Sequence, residues 1–301
     1  MKIESTWTRQ LESGQQPSSS DLRNHLDAVH DNNAGFTEAF AWNCRDVNGK
    51  NSYELLADIV DQQYHSHVLD LGCGSGVLLD LCNQRFGAEL MLSGVDMNGS
   101  ELKLARKRLA HTNTKLHQGA AQNLDCFADS SFDVIFCHWA LTLMDPVVEV
   151  LATTKRLLKE RGIFAAIIDG DPKTAPGYLE VHDIIYEHVQ SKYPDYGVYE
   201  LGDPRVRTAE GLQKLTAEAF EDFDVNITPI TLSFNAAPRI LAQEAAGFFY
   251  ASFVLSPADF SQMLTDLEKY FITNQKDGIS CFAMPVNLLV VRGRGNNNRS
   301  V

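Results

Sequence analysis

The stretch His67 to Asp80, HVLDLGCGSGVLLD, restricts this chain more than any other. Val68, Leu69 and Leu71 make a short apolar run that ends at Gly72, Gly74 and Gly76, and Val77-Leu78-Leu79 resumes at helical spacing. The pattern predicts a buried strand, a tight glycine turn and the first turn of a helix. Glycine is required where backbone turns with positive φ or must approach a ligand without a Cβ in the way. A helix start also directs unpaired N–H groups into the same space. A nucleotide-type pocket follows.

The neighbours of the glycines narrow the nucleotide. A dinucleotide fingerprint needs a third glycine at position 77, which is Val77. No Gly-Lys-Ser/Thr follows the turn, which excludes a phosphate loop for ATP. The acid two residues before the first glycine, Asp70, repels a pyrophosphate and suits an ammonium group.

The 301 residues, 44% hydrophobic, allow one large core or one core with substantial insertions. A net charge of -13 argues against a phosphate-tracking surface, which needs clustered Lys and Arg. The one basic cluster, Lys103, Arg106, Lys107 and Arg108, recurs at surface-helix spacing and reads as a solvated helix face. The N-terminus lacks the apolar core of a signal peptide, and no run approaches the roughly 20 apolar residues of a membrane span. The 6 cysteines show no CxxC spacing, and several sit in apolar runs, as reduced, buried cysteines do. The expectation is a soluble, cytoplasmic protein without a metal site that binds neither nucleic acid nor membrane.

Residues 1–20 are polar and rich in Ser and Gln, so their far end is expected to be loose. From Asp21, Leu22, Leu26 and Val29 fall on one face of a helix capped by Ser20 or Asp21. Phe36 to Asn43 is aromatic-rich without strict period, Asn48-Gly49 marks a turn, and Ser52 to Asp61 predicts a second helix. Residues 1–64 are thus a helical extension, read as a lid with simple packing as the alternative. Beyond the glycine turn, Leu90–Asp96, Lys115–His117 and Phe132–Cys137 predict three more strands, with a helix through Leu102, Ala105 and Leu109. Val147–Leu158 predicts a helix stopped by Gly162, and Ile163–Ile168, apolar throughout, predicts a strand buried on both faces. This alternation indicates a parallel sheet with helices on both sides. Leu212–Phe220 reads as the next helix, and Phe223–Phe234 and Ser280–Val291 as the last two strands.

Two stretches exceed a minimal sheet. Residues 171–208 carry Tyr178, His182, Tyr186, Tyr193, Tyr196 and Tyr199, and residues 236–277 carry Phe248, Phe249, Tyr250, Phe253 and Phe271. Both are expected to be mostly helical, where an open α/β sheet presents its loops.

Asp70-x-Gly72-x-Gly74-x-Gly76 resembles the first motif of the class I S-adenosylmethionine-dependent methyltransferases. Asp96, at the end of the second strand, resembles the acid that holds the ribose hydroxyls, both of which can donate to one carboxylate. Gly119 to Leu124, then SSFDVIF, resembles the family's GDAENLPF…SFDVV run, and Leu157-Leu158-Lys159-x-x-Gly162 fits as well. The likeness runs over residues 65–170 and is closest to small-molecule methyltransferases of the ubiquinone- and biotin-pathway type. It implies an α/β fold, a Rossmann-like doubly wound seven-stranded sheet. That sheet is mostly parallel with an antiparallel last strand, and carries a helical N-terminal extension and helical insertions. Residues 65–301 then form the methyltransferase domain, with the insertions 171–208 and 236–277 as a substrate cap.

The resemblance implies S-adenosyl-L-methionine as cofactor and S-adenosyl-L-homocysteine as product. It implies Asp70, Gly72, Cys73, Gly74, Gly76, Asp96, Met97, Ala121, Gln122 and Cys137 as cofactor-binding residues. One position departs from the family: the usual adenine-binding Asp is Ala120. The substitutes are the Gln122 side-chain oxygen and the Ala121 backbone N–H.

In this family the methyl group leaves a sulfonium by in-line displacement. The protein aligns a nucleophile, excludes water and, where needed, removes a proton. His138, just past the fourth strand, is the candidate general base, with packing at the pocket rim as its alternative. Trp139 reads as a substrate wall or a core residue. Tyr178, His182 and Tyr186, four residues apart, share a helix face that lines the acceptor site or packs. Arg205, with Arg207, is placed to bind a substrate carboxylate or to pair within a surface loop. Arg45 and Tyr53 are candidates to close over the methionine end of the cofactor. Cys137-His138-Trp139-Ala140 lacks the Asn/Asp-Pro-Pro-Tyr type of motif, which together with the acidic charge disfavours base methylation. The expected reaction is methyl transfer to O or N of a small organic acceptor. The alternatives are a cofactor-binding regulatory partner without turnover, and a protein or RNA methyltransferase. Oligomeric state is open, a homodimer included.

Overall fold

A computed structural model of the protein describes residues 2–198 and 202–294, so Tyr199 lies outside the described residues. The chain begins with helices α1 (Thr6–Glu12), α2 (Ser19–Asn33), α3 (Glu38–Asn43) and α4 (Ser52–Ala57). Strands and helices then alternate through β1 (His67–Leu71), α5 (Val77–Phe86), β2 (Met91–Asp96), α6 (Gly99–Arg108) and β3 (Lys115–Gln118). The alternation continues with β4 (Phe132–His138), α7 (Val147–Leu157) and β5 (Leu158–Asp169). The rest comprises α8 (Tyr178–Gln190), α9 (Ala209–Ala219), β6 (Phe223–Ala236), α10 (Pro238–Phe248), α11 (Pro257–Thr273) and β7 (Ser280–Gly293).

The seven strands form one sheet in the order β3-β2-β1-β4-β5-β7-β6. β1 pairs with β2 and β4, β2 with β3, and β4 with β5, all parallel. β7 runs antiparallel to β5, from Ile163 opposite Arg292 to Asp169 opposite Val286. This is the Rossmann-like doubly wound sheet with an antiparallel last strand that the sequence implies. The strand order reverses between β1 and β4, and ligands in such sheets bind beyond the carboxyl ends at that reversal. One core layer gathers Leu69, Ile135, Phe164, Ile168, Leu151 and Leu212, all essentially inaccessible. Each such side chain stabilises the fold by about 1.5–3 kcal/mol on burial.

Two helix ends differ from the sequence reading. Helix α7 ends at Leu157, where Leu158 is already extended, so Gly162 does not stop the helix. Gly162 lies instead in β5, at an irregularity between the pairs Phe132–Leu158 and Val134–Ile163. A Cβ there would stand 2.9 Å from the Lys159 carbonyl oxygen, so the close approach needs glycine. Helix α4 stops at Ala57 rather than Asp61, because Ile59 and Val60 bond to Leu56 and Ala57 in tighter three-residue turns.

The chain divides into two compact units: Met1–Asn51, Pro172–Leu201 and Thr231–Pro285 form one, and Ser52–Asp171, Gly202–Ile230 and Val286–Val301 the other. The first is mainly helical. Its N-terminal segment is ordered, not loose: Ser5 and Thr8 form a reciprocal capping box, and the Ile3 N–H donates to Phe253 O at 2.7 Å. Trp7, only 1% exposed, stacks on His25 and meets Tyr196 edge-on. The apolar pair Trp7 and Leu11, one helical turn apart, outweighs the Ser/Gln composition around it. Helix α2 is capped by Ser18, whose hydroxyl accepts from the Asp21 N–H at 3.2 Å while the Asp21 carboxylate accepts from the Ser18 N–H. No helix among the described residues is long and apolar enough to cross a membrane.

Candidate cofactor and acceptor site

The β1–α5 turn is held in a shape only glycine adopts easily. Gly72, Gly74 and Gly76 have φ of 70°, 50° and 81°. A Cβ on Gly72 would lie 2.5 Å from the Ala140 Cβ, and one on Gly76 2.9 Å from Leu109 Cδ1. At Gly74 nothing comes nearer than Glu101 Oε2 at 3.8 Å, so the middle of the turn faces open space. The Gly72 and Cys73 N–H groups both donate to the Val95 carbonyl, tying the turn to β2. The Gly74 N–H donates to Asp96 Oδ2 at 2.8 Å, and the Asn98 N–H to Oδ1 at 2.8 Å. Arg108 donates to Ser75 O and Oγ, so this member of the basic cluster fixes the turn rather than facing water alone.

Beneath the turn, Asp70 is 1% exposed and its Oδ1 has no hydrogen-bond partner among the described residues. Burial, and then the nearby Asp96 carboxylate, push its pKa well above the usual carboxylate range. An unsatisfied buried oxygen of this kind costs about 1–3 kcal/mol, which a cationic ligand group would recover. Burial also pushes the Cys73 and Cys137 thiols up, so neither is a thiolate nucleophile at neutral pH. Met97 is 52% exposed beside the turn, and Ala121 is buried after β3. The Gln122 side-chain N–H donates to Asp145 O, and the Gln122 carbonyl accepts from Thr153 Oγ1.

Strand register brings together three polar side chains that the sequence holds far apart. Asp70 stands opposite Phe136, and His138 opposite Ile167. Side chains alternate along a strand, so Asp70, His138 and Asp169 lie on one face of the sheet, stepping along the carboxyl ends of β1, β4 and β5. Asp169 was not singled out from the sequence. Its only signal there is an acid that closes an otherwise apolar strand. Burial raises its pKa, and the Arg207 charge opposes that rise.

His138 is held from three sides. Its Nε2 lies 2.8 Å from Ser52 Oγ, its ring stacks on Tyr53 at 4.1 Å, and the Trp139 ring meets it edge-on at 4.9 Å. Burial lowers its pKa to about 3, so the imidazole is neutral at neutral pH. Trp139 carries a φ of 51°, a strained value for a bulky residue, with its N–H donating to Ile167 O at 2.9 Å.

Residues 62–196 match the family model of a methyltransferase domain. The demethylmenaquinone methyltransferase of Listeria welshimeri is 28% identical over 168 residues, 53% of this chain and 70% of that protein. The carboxy-S-adenosyl-L-methionine synthase of Campylobacter curvus is 30% identical over 165 residues, 53% of this chain and 67% of that protein. This chain belongs to the class I S-adenosylmethionine-dependent methyltransferase superfamily. The methyltransferase also shares its fold with Haemonchus contortus phosphoethanolamine N-methyltransferase 2, solved in complex with S-adenosyl-L-methionine. That likeness has a TM-score of 0.55 and 17% identity, over 92% of this chain and 60% of the other.

The cofactor of this methyltransferase is S-adenosyl-L-methionine, which supplies a methyl group activated on a sulfonium. The site suits it. The open glycine turn admits backbone-close contact, the unsatisfied Asp70 oxygen matches an ammonium, and Asp96 offers a carboxylate at the turn. Among the described residues, no group of three or more His, Cys, Asp or Glu side chains is poised for a metal ion.

The remaining sequence candidates have local partners of their own. Arg205 is engaged by Asp203 through Nε and Nη2, which is the loop pairing the sequence allowed. Tyr178 and His182 belong to the helical unit. There His182 stacks on Tyr186 at 4.0 Å and Tyr178 over Phe282 at 6.0 Å, on the shared face that their spacing predicts. Arg45 is in the same unit and donates to the Trp42 and Cys44 carbonyls.

Proposed function

We propose that this methyltransferase transfers the methyl group of S-adenosyl-L-methionine to O or N of a small organic acceptor. The observation that carries the reading is the polar edge formed by Asp70, His138 and Asp169 along three adjacent strand ends. With Asp70 turned to the cofactor, His138 and Asp169 leave one imidazole and one carboxyl group to orient a small acceptor. The net charge of -13 argues against a nucleic-acid acceptor. The name of the Listeria relative, demethylmenaquinone methyltransferase, supports a small acceptor as well.

In this reading Asp70 takes the cofactor ammonium and Asp96 the ribose hydroxyls. The turn from Gly72 to Gly76 lets the cofactor approach the backbone. Met97, Ala121 and Gln122 flank the adenine, while Cys73 and Cys137 contribute backbone only. Trp139 serves as a wall of the acceptor site, while Tyr178 and His182 share one face of helix α8 within the helical unit. Arg205 serves its own loop. The protein's share of the rate is alignment of the nucleophile and exclusion of water.

Incubation with cofactor carrying an isotopically labelled methyl group, together with a metabolite extract, a protein extract and total RNA in separate reactions, tests the proposal. Label in discrete small molecules is expected. Label confined to protein or RNA, or no transfer despite tight cofactor binding, would contradict it.

A further inference from the structure

The bond between Ser52 and His138 defines what His138 can do. Ser52 is completely buried, and among the described residues its hydroxyl meets only His138 Nε2, at 2.8 Å. A neutral imidazole has one N–H and one bare nitrogen, and a hydroxyl has one hydrogen to place. Two arrangements are open. If Nε2–H donated to Ser52, the serine O–H would be left buried with no acceptor. If Ser52 donates to Nε2, the buried serine hydrogen is satisfied and the ring proton sits on Nδ1. Orphaned buried donors are the rarer and costlier defect. The ring's other nitrogen, Nδ1, has no partner among the described residues and is not one of the sealed polar atoms. Stacking on Tyr53 fixes the ring plane.

We propose that Ser52 is a positioning residue that locks His138 as the Nδ1–H tautomer, a neutral hydrogen-bond donor offered to an oxygen of the acceptor. This rests on the small-acceptor reading above and changes the chemistry within it. His138 is then not the base that removes a proton. It recognises a carbonyl, carboxylate or ionised hydroxyl oxygen at the acceptor. A neutral donor there favours an oxygen nucleophile that is already anionic. The acceptor class is therefore an oxygen-bearing compound with an acidic hydroxyl or a carboxylate, methylated at or beside that oxygen.

The tautomer is measurable without any acceptor. Long-range proton–nitrogen NMR spectra of protein labelled with nitrogen-15 histidine report which ring nitrogen carries the proton, and His138→Asn identifies the signal. The expected wild-type pattern is a protonated-type Nδ1 and a bare-type Nε2. Ser52→Ala should convert it to a mixture of tautomers, and Ser52→Thr should restore it. Titration with S-adenosyl-L-homocysteine checks the fold of each variant, with affinity expected within about twofold of wild type. A protonated Nε2 in the wild type would overturn the proposal, and that measurement stands even where a variant fails to fold. A pattern unchanged in Ser52→Ala would overturn it too. Loss of homocysteine-cofactor binding in the wild type would instead strike the methyltransferase reading, leaving the tautomer result to be judged alone.

Discussion

At Gly72 two separate constraints meet: a left-handed backbone and an Ala140 methyl group 2.5 Å from where a Cβ would stand. Either alone is costly, and Ala140, just beyond β4, packs against the core through a single methyl group, so it cannot swing aside as a flexible side chain would. Gly72→Ala should therefore destabilise the protein by about 2–3 kcal/mol in urea unfolding. An equally stable variant would mean that the turn is looser than described. This residue was legible in the sequence because glycine chemistry is local. Asp169 was not, because its placement beside Asp70 and His138 depends on the register of three strands. His138 lay between the two cases: its position past a strand was readable, but its tautomer rests on Ser52, a residue remote in sequence.

The elements are tied together by side chains as much as by the ladder. Asp133, at the start of β4, accepts from the Ser66 and His67 N–H groups at 3.0 Å and from Lys159 Nζ at 2.8 Å. It thereby joins the entry of β1 to the start of β5. Burial alone would raise its pKa, but the Lys159 ammonium and the two backbone N–H groups outweigh burial and hold it below the usual range. A carboxyl depressed in the folded state contributes stability that is full above its unfolded pKa and is lost as pH falls through the folded one. Asp133→Asn should thus cost about 1–3 kcal/mol at neutral pH, and the gap from wild type should narrow below about pH 4. A gap independent of pH would contradict this account of the carboxylate.

Elements whose signal is short-range were readable, including the strands, the glycine turn and most helices. Helix α1 was missed because its anchors, Trp7 on His25 and Tyr196, are tertiary. The end of α7 was missed for a related reason. Leu158, 4% exposed, enters β5 beside Phe132, so packing ends the helix before Gly162 does.

At the scale of the molecule, the strand reversal between β1 and β4 gathers the turn, Asp70 and Asp96 on one side and His138 on the other. This crevice takes a sulfonium nucleoside rather than a dinucleotide. The glycine pattern and the acid at position 70 express that choice in sequence; the unsatisfied Asp70 oxygen expresses it in structure. Calorimetric titration with S-adenosyl-L-homocysteine and, separately, with NAD tests it directly. One-to-one binding of the first, no binding of the second, and a loss of about tenfold or more in Asp96→Ala are the predicted results. Binding of NAD in place of S-adenosyl-L-homocysteine, or an unchanged affinity in Asp96→Ala, would contradict the account.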